Sequence, residues 1–133
     1  MTVGVVVALA GCSTGATSYD HRANDVCANV VGAARALPRP APGTPAADRS
    51  FRRLTHARGR ALAELAALDP PREDRAAVAR MLRHFRESQR FLRDVIRLGE
   101  SEAILPTLLA AAKEGEKAHR IARRLGLRAC ADF

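Results

Sequence analysis

Tryptophan is absent from this 133-residue chain, tyrosine occurs once and phenylalanine four times. A core built mainly on large rings is excluded. So is a surface of aromatic platforms on which nucleic-acid bases could stack. Lysine is nearly missing: the 22 basic residues are 20 Arg and 2 Lys. Long apolar runs are missing too. The stretch from Val3 to Ala10 falls well short of the roughly 20 residues that a membrane-spanning helix needs. Strand-type alternation is lacking, and β-branched residues thin out after Val31. No Gly-rich phosphate loop, Gly-framed serine elbow or C-x-x-C pair occurs. The chemistries that depend on them have no foothold.

What is present is alanine, 27 residues, together with arginine. That skew fits GC-rich codon usage, so part of the +8 formal charge is compositional. The hydrophobic fraction of 47% is that of a globular protein, and the length allows one domain. Residues 1–11 carry no charge, so the whole excess belongs to residues 12–133.

The Val3–Ala10 run matches the apolar centre of an export signal. It ends in Leu9-Ala10-Gly11-Cys12, which resembles the lipobox of bacterial lipoproteins. The resemblance implies cleavage before Cys12 and a diacylglyceryl group on its sulfur. On that reading residues 1–11 are a signal peptide and residues 12–18, small and polar, a lipidated flexible tether. Residues 19–133 are the folded domain. The protein then sits on the extracytoplasmic face of the cell membrane. Ala8-Leu9-Ala10 also satisfies an ordinary A-x-A cut, the secreted alternative, which leaves Cys12 a free thiol. Residues 12–133 as a whole are similar to the small exported lipoproteins of actinobacterial type. The likeness rests on the lipobox, the Ala/Arg composition and the Cys near the C-terminal end.

Helical periodicity predicts four helices. The first spans about Tyr19 to Leu37, with Ala23, Val26/Cys27, Val30, Ala34 and Leu37 on one stripe. The prolines at 38, 40, 42 and 45 break it. Thr44-Pro45 reads as an N-cap with Pro at the first helical position, opening a helix that ends near Leu68. Its seam, Phe51, Leu54, Arg58, Ala61, Leu65 and Leu68, alternates by three and four. The third helix is expected from Pro71 to Leu98, on Val78, Leu82, Phe85, Gln89, Leu92 and Ile96. Gly99 stops it. Ser101 caps a fourth, reaching Leu125, with Ile104, Leu108, Ala111, Ala118 and Ala122 inward. Pro106 falls near its start. Short connections make neighbours antiparallel, so the expected fold is an all-α, up-down-up-down four-helix bundle.

Lipidation of Cys12 leaves Cys27 and Cys130 over, and the topology returns the end of helix four to helix one. A disulfide between them is expected in an exported chain, worth about 4–5 kcal/mol by chain entropy. The alternative is two unpaired buried thiols.

The four histidines, His21, His56, His84 and His119, fall one per predicted helix. Glu116 and His119 form E-x-x-H; His84 and Glu87 give the reverse order. Ferritin-like di-iron bundles use two E-x-x-H motifs and two further Glu. This chain resembles them in one motif only. Helix two offers Glu64 alone and helix one no Glu. His84, Glu87, Glu116 and His119 are therefore the candidates for a metal- or ligand-binding bundle, the alternative to a reading with no metal and no cofactor. Arg58 and Gln89 interrupt apolar seams, as register-fixing or snorkelling groups. Arginine runs occur at Arg52/Arg53, Arg58/Arg60, Arg83/Arg86/Arg90/Arg93 and Arg120/Arg123/Arg124. Export and the lack of aromatics argue against nucleic acid. The expected partners are the membrane, through the anchor, and an anionic lipid, an envelope polymer or another envelope protein. The expected function is a non-enzymatic interaction module.

Overall fold

The computed structural model describes residues 14–133. The expected signal peptide and the expected lipidation site Cys12 lie outside the described residues. Four α-helices account for most of the remainder: α1 Thr14–Ala36, α2 Pro45–Ala67, α3 Arg75–Leu98 and α4 Ile104–Arg124. A 3-10 turn, Ala129–Asp132, follows, and no strand occurs among the described residues. The fold is the all-α, antiparallel four-helix bundle expected from periodicity.

Local chemistry sets most boundaries. Thr44 Oγ1 accepts the Ala47 N–H at 3.2 Å, and Pro45 opens α2 where its missing N–H costs nothing. Gly126 adopts φ 75°, letting the Leu127 N–H reach the Ala122 carbonyl at 2.9 Å and the Gly126 N–H reach Arg123 at 3.2 Å. This Schellman closure turns the tail back and drops Leu127, fully buried, into the core. Pro106 lies in the first turn of α4, where it breaks no hydrogen bond.

Three boundaries differ from the sequence reading. α1 begins at Thr14, not Tyr19, so the expected tether is helical from Thr14 on. No proline precedes Tyr19 to stop the ladder. α3 begins at Arg75, not Pro71, because the N–H groups of Asp74 and Arg75 both turn back to the Pro71 carbonyl in a separate turn. α4 begins at Ile104, and Ser101 Oγ accepts the Ala103 N–H at 3.2 Å in the turn ahead of it.

The core is small and alanine-lined. Ala23, Ala61, Ala118 and Ala122 surround Leu65, Met81 and Phe85. Phe85 is its hub, fully buried, edge-on to the rings of Phe133 at 5.0 Å and His119 at 5.6 Å between centroids. α3 and α4 form the most extensive pair, while α1 meets α4 only through the tail. Cys27 and Cys130 are placed for a disulfide, their Cα atoms 5.0 Å apart and 103 residues apart in sequence. The Ala129 N–H donates to Asn24 Oδ1 at 2.9 Å beside them. The tail is thus the wedge that closes the fourth side.

Candidate functional site

The four side chains singled out as ligand candidates are not brought together. Glu87 pairs with Arg90 on its own helix at 3.0 Å. Glu116 pairs with Arg123 at 2.9 Å and stands 4.0 Å from His119. His119 turns its ring edge to Phe85, and its Nε2 is buried without a partner. His84 finds Glu114 across the helix pair, Nδ1 to Oε2 2.7 Å. His21 and His56 are exposed on other helices. Among the described residues no group of three His, Cys, Asp or Glu side chains could hold a metal ion.

Glu114 escapes a reading of the sequence, and the reason is register. Matching levels about Glu100 pairs His84 with Glu116. The positive-φ turn residue is Gly99, and His84 and Glu114 are equidistant from it. One residue of error at the turn becomes two on α4. Glu114 also accepts from Lys117 Nζ at 2.5 Å. Those two bonds, Lys117 first and His84 second, hold its carboxyl below the usual carboxylate range.

His84 and Lys117, both held by Glu114, line one part of a groove of about 300 Å³ along the α3–α4 seam. Arg80 on α3 and Arg120 and Arg124 on α4 line the rest, over a floor of Ala77, Ile121 and Leu125. All three arginines are exposed, and none forms a salt bridge among the described residues. Arg124 suits the negative end of the α4 dipole. Arg120 and Arg124, one turn apart, repel each other by a few tenths of a kcal/mol. Glu116 lies one turn before Arg120, yet its carboxylate is taken by Arg123. Three planar forks around an apolar floor can do one thing well: hold a phosphate or carboxylate bidentately while methylenes or acyl carbons lie against the floor.

The seam-breaking polar residues have structural work. Gln89 is buried and donates to the Thr55 carbonyl at 2.6 Å, tying α3 to α2. Gly59 makes room for it: a Cβ there would stand 3.3 Å from Gln89 Nε2. Arg58 lays its guanidinium over the Phe133 ring at 5.0 Å. Burial lowers its pKa from the usual value. Burial first, and the Arg58 charge second, lower that of His119. Arg58 is a clasp on the tail.

A second basic cleft, about 590 Å³, lies between α2 and α3 with Arg52, Arg60 and Arg93 at its rim. Arg90 pairs with Glu87 and Asp94 and stacks on Phe91, and Arg97 pairs with Asp94. Leu105 and Leu109 are exposed near the start of α4. No described helix is long and apolar enough to cross a membrane. Compared with known proteins, the chain matches no family model, no curated protein and no solved structure.

Proposed function

We propose that this protein is a non-enzymatic, lipid-anchored envelope lipoprotein, a helical interaction module that holds an anionic envelope component. The observation carrying this reading is the α3–α4 groove, which Arg80, Arg120 and Arg124 line together with Ala77, Ile121 and Leu125. The lipobox-like Leu9-Ala10-Gly11-Cys12 supplies the address. The placement of Cys27 beside Cys130 supports an oxidising compartment, where such a pair forms and persists.

The test is the intact mass of the mature chain purified from membranes of an expressing bacterium. The expected species begins at Cys12 and carries a diacylglyceryl group. An unmodified chain beginning at Gly11 sinks the anchored reading.

A further inference from the structure

We infer that the α3–α4 groove is a headgroup site: Arg80, Arg120 and Arg124 take the phosphate of an anionic phospholipid in the bilayer that holds the anchor. The inference rests on the lipoprotein reading of Cys12. Its own support is where the groove lies. In an up-down-up-down bundle the start of α1, the start of α3 and the end of α4 share one end. The electrostatics agree with that placement. Burial raises the pKa of Tyr19, and the charges of Asp20 and Asp74 add to it, so the α1 start stands within electrostatic reach of Asp74, the residue that precedes α3. Ala77 and Arg80, early in α3, share the groove with Arg120, Arg124 and Leu125 at the end of α4.

Cys12 precedes Thr14 by two residues, a span of at most about 7 Å. Acyl chains on Cys12 therefore hold the groove's own end of the bundle against the lipid surface. The acyl chains of the diacylglyceryl group supply the anchor, and a basic patch beside them adds electrostatic attraction to anionic lipid. The floor of Ile121 and Leu125 suits the glycerol and upper acyl carbons of a headgroup better than a free, fully hydrated anion. The α2–α3 cleft is an internal comparison. It is as rich in arginine, but Arg52 in the first half of α2 and Arg93 late in α3 lie toward the opposite end, with Arg60 nearer the middle of the bundle.

The experiment uses the full chain carrying Cys12→Ser, so that no acyl group contributes. Sedimentation with phosphatidylglycerol vesicles is compared with phosphatidylcholine vesicles. Three chains are tested: the parent, R80Q/R120Q/R124Q, and R52Q/R60Q/R93Q, which makes the same change in charge. Circular dichroism confirms that each is folded. The parent should prefer the anionic vesicles. Near a bilayer each basic residue is worth about fivefold in partitioning, so the groove variant should bind on the order of a hundredfold more weakly. The cleft variant should lose less than about tenfold, and millimolar glycerol phosphate should leave the parent bound. Equal losses in the two variants overturn the inference in favour of general surface charge. Displacement by glycerol phosphate overturns it in favour of a small-anion site. If the groove variant loses soluble polyphosphate but keeps vesicles, the headgroup assignment fails while the anion-binding module stands. The anchor is read separately, by mass, so its failure is not confused with any of these.

Discussion

Breaking the Cys27–Cys130 link should cost this domain about 4.7 kcal/mol. The figure is the chain entropy released when a closed loop of 103 residues is opened at 25 °C. Packing contacts of the tail do not reduce it, because they belong to the folded state and the entropy belongs to the unfolded one. Leu127 and Phe133 are buried in the folded chain beside the bridge. Against total stabilities of about 5–15 kcal/mol for domains of ordinary size, the loss is a third or more. With an alanine-lined core, most of the stability is at stake. The assay is urea unfolding followed by circular dichroism, for the oxidised chain, the chain held reduced, and Cys27→Ala/Cys130→Ala. With a slope of about 2 kcal/mol/M, the midpoint should fall by about 2.4 M on reduction. The double variant should fall at least as far, since it also loses the packing of two buried sulfurs. A fall under about 0.5 M with an unchanged slope would refute the chain-entropy reasoning. A free thiol at either position in protein purified from the cell envelope would refute the pairing itself.

Two glycines and one histidine give sharper, smaller tests. Gly32 is helical with nothing within 4 Å of the place a methyl would take, so Gly32→Ala should stabilise by about 1 kcal/mol in thermal or urea unfolding. Gly59→Ala gains the same propensity but crowds Gln89 Nε2 at 3.3 Å, disturbing the bond to Thr55, so it should stabilise less or destabilise. Equal gains at both positions would count against the Gln89 tie. His119 has a folded pKa below its ordinary 6.5, so the unfolded chain binds the proton more readily. Stability should therefore fall as pH drops through about 6.5, and His119→Gln should flatten that slope. Glu114 acts in a separate window: its contribution is present above its ordinary 4.5 and lost as pH falls through its lower folded value. Parallel pH profiles for parent and variant between about pH 7.5 and 5.5 would exclude a half-buried His119 with a lowered pKa.

Helix count, caps and seams were legible because each depends on residues close in sequence. Thr44 acts through its own hydroxyl and Pro45, Gly99 and Gly126 through their own backbones, and the three-four spacing of Val78, Leu82 and Phe85 needs no partner to be read. The Cys27–Cys130 approach followed from the cysteine count together with topology, since an even number of antiparallel helices returns the chain to its starting end. Two kinds of feature escaped. The first is a boundary set by an absence: nothing in Thr14–Ser18 announces a helix, yet nothing forbids one, and α1 extends through it. The second is anything that depends on register between helices. The His84–Glu114 bond needed the turn placed to within one residue. Arg80 was not singled out at all, because on its own helix it is one arginine among many.

Arginines without a carboxylate are common on this surface, so the lack of a partner is a weak argument for function. Codon bias can supply such residues anywhere, and the α2–α3 cleft has as many: Arg60 near the middle of the bundle, with Arg52 and Arg93 toward the far end. What bias does not explain is coincidence of place. The α3–α4 groove draws its cations from two helices, keeps Lys117 and His84 oriented through one shared carboxylate, and leaves Arg80, Arg120 and Arg124 to face an apolar floor. It does so at the end where α1 begins, two residues after the cysteine expected to carry lipid. A bundle tethered there turns that end to the bilayer whether or not the groove binds anything. On the proposed anchoring, charge placed at that end would meet anionic headgroups within a Debye length, where each arginine counts most, and charge at the other end would meet screened solvent. The two clefts therefore differ in consequence though not in composition, and position relative to the anchor is the variable that separates inherited charge from used charge.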